Sequence, residues 1–189
     1  IESVDGRPHL AQARQVIAAG KPLFIDKPLA STYEDAKEIA RLARAAKVPW
    51  FTSSSLRWTE LTEKFSAKGA QSVIVWGPGP ENALHQLDLS WYGVHAVEML
   101  YALMGTGCEE VTRTFTPGGD IVTGKWKDGR PGVVHTIKPY GPFGGMIVKD
   151  QKVQLGPPDM KSSYVQLVRE IVKFFETKTP PVAEAETLE

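Results

Sequence analysis

The sequence has 189 residues, enough for one large domain or one and a half small ones with a sizeable core. Lys plus Arg and Asp plus Glu both total 22, so the formal charge is zero. This balance argues against nucleic acid or anionic membrane as the main partner, because phosphate binding needs clustered cations. No apolar run approaches the roughly 20 residues that span a bilayer.

Cysteine and histidine usage exclude two kinds of site. The single cysteine, Cys108, excludes an intramolecular disulfide, and no histidines are spaced as a metal-ligand pair, so no metal site is predicted. A reducing compartment is compatible, and we expect a cytoplasmic location. The sequence begins at Ile1, inside a βα pattern, with neither an initiator methionine nor a signal peptide, so we expect a fragment.

Helix and strand patterns alternate over residues 1–55. A helix is predicted from Pro8 to Ala19, and a buried strand from Leu23 to Ile25. Ser31 is predicted as the N-cap of a second helix, and Val48–Thr52 as the next strand. Such alternation implies parallel strands joined by right-handed crossovers, which predicts the back half of a doubly wound α/β sheet.

The pattern changes over residues 56–189. Helices are predicted at about Arg57–Ala67 and Ser90–Met104, with a strand at Ser72–Trp76 between them. The stretch Val111–Leu155 is rich in strands. Three turn signals, at Pro117–Asp120, Asp128-Gly129 and Lys149-Asp150, predict antiparallel hairpins within it. We therefore predict an α+β second domain with a mostly antiparallel sheet.

A last amphipathic helix is predicted at Ser162–Glu176. Its apolar side chains recur at helical spacing at Tyr164, Val168, Ile171 and Phe175. These side chains are therefore expected to lie along one face of the helix.

The triplet Asp26-Lys27-Pro28 follows the strand Leu23–Ile25 directly. Ligands of open α/β sheets bind at the carboxyl ends of the strands. A lysine at that place serves as a proton donor or as an electrostatic anchor. The structural alternative is a strand-to-helix turn with a solvated lysine.

Three segments, in order, carry a resemblance to a known family. Gly20–Ala30 resembles the Glu-Lys-Pro segment of the Gfo/Idh/MocA oxidoreductases, and His9 matches the histidine before that segment. Trp91–Glu98 resembles the family's Gly-x-His segment, whose histidine acts in catalysis. The resemblance implies an NAD(P)-dependent oxidoreductase acting on sugars and polyols. It also implies a Rossmann-like nucleotide-binding domain in residues 1–55 and a substrate-binding and dimerisation domain in residues 56–189.

The resemblance implies roles for four residues of the first domain. Lys27 is expected near the nicotinamide and the reacting hydroxyl, as a catalytic residue that contacts both cofactor and substrate. Asp26 replaces the usual glutamate, and Pro28 is expected to set the turn that keeps the backbone close to the nicotinamide. Asp26, Pro28 and His9 are thus expected to bind the cofactor, NAD or NADP.

His95 is the second catalytic candidate. An imidazole titrates near pH 6.5, so it can relay the substrate proton; a structural helix histidine is the alternative. Trp91 occupies the position of the family's aspartate, one helical turn earlier. Asp88 could reach the same helix face, although we favour it as a helix N-cap. Tyr92 offers a hydroxyl for the substrate in place of the missing carboxylate.

Two further expectations concern substrate and assembly. Arg57 resembles a family arginine that contacts substrate or cofactor phosphate, with a surface salt bridge as an equal alternative. The strand-rich region is expected to form a homo-oligomer, a dimer or tetramer, since the family often associates through this sheet.

The dinucleotide fingerprint Gly-x-Gly-x-x-Gly is missing from the sequence. Gly77-Pro78-Gly79 is interpreted as a turn, because its proline removes a backbone N–H that a pyrophosphate needs. Two functions stay open. One is an NAD(P)-dependent oxidoreductase represented by a fragment that is inactive alone. The other is a catalytically inactive binding or assembly protein on the same scaffold.

Overall fold

The computed structural model describes residues 1–65, 69–81, 88–157, 160 and 164–189. The described residues form the α-helices α1 (His9–Ala18), α2 (Tyr33–Ala45), α3 (Glu60–Lys64), α4 (Gly93–Met104), α5 (Tyr164–Thr177) and α6 (Glu184–Leu188). They form the strands β1 (Leu23–Asp26), β2 (Trp50–Ser53), β3 (Ser72–Pro78), β4 (Cys108–Thr116), β5 (Gly119–Trp126), β6 (Pro131–Ile137), β7 (Gly144–Lys149) and β8 (Lys152–Leu155). None of the helices so described is both long and apolar enough to cross a membrane.

The chain divides into two compact units. The first comprises Ile1–Ser54 and Tyr164–Leu188, and the second comprises Ser55–Ser163 with Glu189. Helices α5 and α6 therefore group with the first unit, whereas the sequence pattern placed them in residues 56–189. The roles assigned to the two predicted domains stay predictions.

Parallel pairing of β1 with β2 is the centre of the first unit. Leu23 lies opposite Trp50 and Asp26 opposite Ser53, so the two strands end at the same edge. The backbone of Ile1 extends the pairing, because its amino group donates to the Phe24 carbonyl at 2.7 Å and its carbonyl accepts from the Asp26 N–H at 2.9 Å. The predicted parallel, Rossmann-like sheet is confirmed.

Helices cover both faces of this sheet. On one face, Ile25 packs with Ala13 of α1 and Ile39 of α2 in one buried cluster. On the other face, the Phe51 ring lies 4.9 Å from Phe174 of α5, centroid to centroid. Two covered faces account for the uninterrupted apolar runs of both strands.

Two predictions about these helices are wrong in detail. The N-cap of α2 is Thr32, whose hydroxyl accepts from the Asp35 N–H at 3.1 Å; Ser31 lies one residue too early. Helix α5 buries Leu167 and Phe174, while Tyr164, Val168 and Phe175 of the predicted apolar face are exposed. The predicted start of this helix, Ser162, lies outside the described residues.

A six-stranded sheet in the order β4-β5-β6-β3-β7-β8 forms the second unit. The pair β3–β6 is parallel, and every other neighbouring pair is antiparallel. The three predicted hairpin turns join β4 to β5, β5 to β6 and β7 to β8, so the mostly antiparallel sheet is confirmed. Strand β3 continues through Pro78, where a turn was predicted, and pairs there with Ile137.

Helix α4 covers one face of this sheet. Its side chains Met99 and Leu100 share a buried cluster with Val75 of β3, Trp126 of β5 and Ile147 of β7. The predicted helix at Arg57–Ala67 is instead a 3-10 turn, Ser55–Arg57, followed by the short α3. The end predicted at Ala67 falls outside the described residues.

Replacement of Phe174 by alanine tests the docking of α5 on the first unit. Phe174 is 1% exposed and Phe175 is 40% exposed. We expect Phe174→Ala to lower the free energy of unfolding by about 3–5 kcal/mol, because it leaves a cavity under the sheet. Phe175→Ala is the matched control, with an expected change within about 0.5 kcal/mol. Urea unfolding followed by circular dichroism measures both, and equal losses would contradict this packing.

Candidate active site

Lys27 lies at the edge where β1 and β2 both end. It follows Asp26 of β1 directly, and Ser53 and Ser54 at the end of β2 are buried. The Lys27 side chain is itself partly buried. This is the edge of an open α/β sheet at which ligands bind, so the structure places Lys27 where the sequence predicted it.

Burial shifts the acid–base behaviour of this pair. It lowers the pKa of Lys27, and the adjacent Asp26 carboxylate offsets only part of that effect. Burial likewise raises the pKa of Asp26, against the charge and backbone hydrogen bond of Lys27. Loss of water around each charged form is the common cause. A lysine with a lowered pKa exchanges protons at lower pH than a solvated lysine, which suits acid–base chemistry.

His9 braces the turn that follows Lys27. Its ring is fully buried, with Nδ1 at 2.9 Å from the Pro28 carbonyl oxygen and 3.2 Å from that of Leu29. Its Nε2 lies 3.4 Å from the Ser3 carbonyl oxygen. Both ring nitrogens thus face backbone oxygens. We propose that His9 positions the turn, while the predicted contact of His9 with a cofactor stays a prediction.

Gly6 is a residue of this turn that the sequence interpretation missed. A Cβ atom at Gly6 would lie 2.5 Å from the Ala30 carbonyl carbon and 2.7 Å from the Ser31 nitrogen. Only glycine therefore permits the segment before α1 to pack against the segment after Pro28. In the sequence, only the presence of a glycine between Asp5 and Arg7 indicated this close contact.

Aromatic rings surround His95 in the second unit. His95 lies in the first turn of α4 and is nearly buried, with ring centroids 5.6 Å from Tyr92 and 5.9 Å from Phe143. Tyr140 lies 5.7 Å from Tyr92 and remains 60% exposed. Burial, together with the charge and hydrogen bond of Tyr92, raises the pKa of Tyr140. An imidazole beside a phenol ring, which in turn packs on a second phenol, is a candidate for proton transfer.

Tyr140 was not predicted as part of this group. It lies between β6 and β7 in the segment Pro139-Tyr140-Gly141-Pro142. An aromatic residue within a turn-forming segment was the only signal available. Its partner Tyr92 is 48 positions earlier in the chain, so the contact depends on the β6–β3 pairing and on α4.

Asp88 does not cap α4, which corrects the favoured prediction. It starts the 3-10 helix Asp88–Ser90, and its carboxylate binds Arg113 through both oxygens at 2.6 and 3.1 Å. Helix α4 begins at Gly93, and its N-cap residue, Tyr92, makes no side-chain capping hydrogen bond. Trp91 therefore precedes the helix, 6.0 Å from Tyr92 between ring centroids.

Arg57 forms a buried ion pair instead of the surface salt bridge considered above. Its guanidinium donates to the Glu98 carboxylate at 2.9 Å, and both side chains are largely buried. The pair joins the 3-10 turn Ser55–Arg57 to α4, one turn after His95. Contact of Arg57 with substrate or cofactor stays a prediction.

One family model and several solved structures are similar to this chain. Residues 3–54 match the model of the Gfo/Idh/MocA oxidoreductase family, described as having an NAD-binding Rossmann fold. No curated protein matches the sequence. The match contains His9 and the Asp26-Lys27-Pro28 triplet, so the predicted resemblance is confirmed over these residues, and the family that they resemble binds NAD.

Solved structures share the fold at low sequence identity. GenD2 from gentamicin A biosynthesis, in complex with NAD, is 16% identical, with a TM-score of 0.78 over 98% of this chain and 71% of its own. The WlbA dehydrogenase from Bordetella pertussis, in complex with NADH and UDP-GlcNAcA, is 15% identical, with a TM-score of 0.71 over 96% and 69%. UDP-N-acetylglucosamine 3-dehydrogenase GnnA from Acidithiobacillus ferrooxidans is 11% identical, with a TM-score of 0.75 over 100% and 73%.

Replacement of His9 by leucine tests its bracing role. Leucine fills the buried site but removes the ring nitrogen that lies against the Pro28 and Leu29 carbonyl oxygens, and loss of such a buried hydrogen bond costs about 1–3 kcal/mol. We expect amide exchange of Lys27 and Leu29 to accelerate by about tenfold or more. His135→Leu, on β6 of the second unit, is the matched control. Unchanged exchange in His9→Leu would contradict the role.

Proposed function

We propose that this chain is part of an NAD(P)-dependent oxidoreductase that transfers hydride between nicotinamide and a hydroxyl-bearing carbon of a sugar or polyol. The proposal depends mainly on the environment of Lys27. Its ammonium is partly buried at the carboxyl edge of β1, its pKa is lowered, and it lies inside the segment that matches an NAD-binding family.

The residues at this edge fit the nicotinamide end of the cofactor. Lys27 supplies a cation, and the turn at Pro28 places main-chain atoms at the edge where β1 and β2 end. The Thr52 hydroxyl of β2 is buried there without a hydrogen-bond partner among the described residues. A buried hydroxyl of this kind costs free energy unless a ligand or water satisfies it. The phosphates need the glycine-rich fingerprint, which this sequence lacks.

The two catalytic candidates divide the proton chemistry. When bound, the nicotinamide accepts or supplies the hydride. Lys27 stabilises the negative charge that develops on the reacting oxygen, and its neighbour Asp26 sets the local charge. His95 exchanges the proton of the substrate hydroxyl, and the Tyr92 hydroxyl orients the substrate.

The proteins of similar fold support a carbohydrate substrate. One of them is named for acting on a nucleotide-linked amino sugar, and another was solved with a related nucleotide sugar. We extend this chemical class, an alcohol on a sugar or polyol ring, to the present chain. The aromatic group around His95 is consistent with it, because aromatic faces and phenol hydroxyls suit sugar rings.

A second candidate is a catalytically inactive binding or assembly protein. The observation in its favour is Trp91, which occupies the position where the family carries an aspartate before the catalytic histidine. Asp88, the nearest preceding carboxylate in the sequence, is bound by Arg113. NAD-linked turnover that is lost when Lys27 is replaced would favour the oxidoreductase over the binding protein.

We propose that these residues act together with a segment that carries the nucleotide-binding fingerprint. The exposed apolar face of α5, formed by Tyr164, Val168, Val172 and Phe175, supports further chain packing on the first unit. We also propose homo-oligomerisation through the sheet of the second unit. The strand register puts Ile74, Val133 and Met146 on the face opposite α4, with the exposed Val153 and Leu155. An apolar face of this kind marks an interface.

Native mass spectrometry of the protein purified from its natural source tests both of these proposals. We expect a subunit heavier than the 20.8 kDa of this sequence and an assembly of two or four subunits. A 20.8 kDa monomer would contradict both. A heavier monomer would contradict only the oligomer.

The pH dependence of turnover tests the role of Lys27. Because its pKa is lowered, Lys27 loses its proton at a lower pH than an ordinary lysine, whose pKa is about 10.4. Alcohol oxidation should therefore decline as pH rises through that lowered pKa. Lys27→Arg keeps its charge, so the decline should disappear. Lys27→Ala should reduce kcat/KM by about 10²–10⁴-fold.

Initial rates of nicotinamide reduction by a panel of sugars and polyols, in the full-length protein, measure these effects. Lys21→Arg, an exposed lysine before β1, is the matched control and should leave the profile unchanged. Full turnover in Lys27→Ala would reject the catalytic proposal. Absence of NAD-linked turnover in every variant would favour the binding protein.

A further inference from the structure

Asp120 is a buried carboxylate at the start of β5 with three side-chain partners. Its side chain is 0% exposed. Oδ1 accepts from Arg113 Nε at 2.8 Å, and Oδ2 accepts from Thr136 Oγ1 and from Lys138 Nζ, both at 3.0 Å. Burial alone would raise the pKa of Asp120, but these hydrogen bonds outweigh it and the pKa is lowered. The carboxylate is therefore held as an anion between two cations.

The first partner connects Asp120 to the segment before α4. Arg113 binds both oxygens of Asp88 while it binds Asp120, so one guanidinium joins the two carboxylates. Asp88 opens the 3-10 helix that leads through Tyr92 into α4. A planar guanidinium with a bidentate partner fixes direction as well as distance.

The second partner contacts the start of α4 itself. Thr136 is fully buried, and its methyl group lies 3.5 Å from where a Cβ atom of Gly93 would be. On its other side, a Cβ atom at Gly79 would lie only 2.3 Å from Thr136 Cβ. Thr136 is thus packed between β3 and the first residue of α4, while its hydroxyl is bound to Asp120. His95 is two residues further along this helix.

The third partner connects Asp120 to the segment that carries Tyr140. Lys138 Nζ also donates to Glu81 at 2.6 Å and lies 4.5 Å above the Phe115 ring. Two ion pairs and one ring contact fix the direction of this side chain. Tyr140 follows two residues later and packs on Tyr92.

We propose that Asp120 is a positioning residue for the group formed by Tyr92, His95 and Tyr140. Its single buried charge holds the start of α4 through Arg113 and Thr136, and the Tyr140 segment through Lys138. The catalytic meaning of this arrangement rests on the function proposed above for His95, but the positioning itself does not.

The ring signal of His95 in the full-length protein tests this directly. Proton–nitrogen NMR of histidine-labelled protein reports the environment of that ring without a substrate. In Asp120→Asn, which keeps the side-chain shape and removes the charge, we expect the His95 signal to move or broaden. Asp128→Asn is the matched control, since Asp128 pairs with Arg130 at 2.7 Å and is half-exposed. Its His95 signal should match the wild type.

A purely structural role for Asp120 gives a different result. Asp120→Asn would then lower the thermal midpoint but leave the His95 signal of the folded protein at its wild-type position, which would overturn the proposal. If Asp120→Asn does not fold, Thr136→Val decides, because it keeps the branched shape and replaces the hydroxyl that binds Asp120 by a methyl group. A displaced His95 signal in Thr136→Val supports the proposal, and an unchanged one overturns it.

Turnover separates this inference from the proposed function. Misplacement of a catalytic group by about 1 Å costs up to about 10²-fold in rate. We expect Asp120→Asn to lower kcat by a factor within that range, with a smaller change in KM. If His95→Asn keeps full activity, the proposed role of His95 fails, while a displaced His95 signal in Asp120→Asn still supports the positioning role.

Discussion

Partial burial of the Lys27 ammonium at the end of a parallel strand is the constraint on which the proposed chemistry depends. The β1–β2 register brings the ends of both strands to one edge, with Ser53 and Ser54 buried beside the lysine. Water is removed from the amine there, which lowers its pKa. The fully buried His9 ring lies against the carbonyl oxygens of Pro28 and Leu29. It thereby fixes the turn that follows Lys27.

In the second unit, buried ion pairs fix the helix that carries His95. A buried carboxylate is costly unless it is paired and hydrogen-bonded. Asp120 meets that requirement with three donors on different segments, and Arg57 and Glu98 form a second buried pair on α4. Helix α4 is thereby fixed at its start and one turn after His95. Such support keeps the His95 ring in one geometry, as the proton transfer proposed for it requires.

Local patterns were sufficient for much of the fold. The strand before Lys27, the helix after it and the three hairpin turns follow from apolar periodicity and from glycine or aspartate at turns. The face of α5 did not follow, because that helix carries two apolar stripes and only the position of Phe51 decides that Phe174 is buried. Ser31 and Thr32 are equally good N-caps by composition, and only the backbone conformation separates them.

The candidate site was predictable only where one short segment carries it. Lys27 and His95 lie in such segments, whereas the partners that fix them are distant in sequence. Asp88 was favoured as an N-cap because its partner, Arg113, lies far along the chain on β4. A surface salt bridge was considered for Arg57 because its buried partner, Glu98, lies on the distant α4. Asp120 and Tyr140 gave almost no local signal, since their contacts exist only after the sheet has formed.

Protection of Lys27 by cofactor tests most directly whether this lysine lies where the nicotinamide cofactor binds. Full-length protein would be treated with an amine-acylating reagent in the absence and presence of NADH, and modified lysines would be located by peptide mass spectrometry. We expect rapid acylation of Lys27 without cofactor, because its pKa is lowered, and strong protection with NADH, while exposed Lys47 reacts equally in both samples. Equal acylation of Lys27 with and without NADH, in protein shown to bind it, would mean that Lys27 does not lie at the cofactor site.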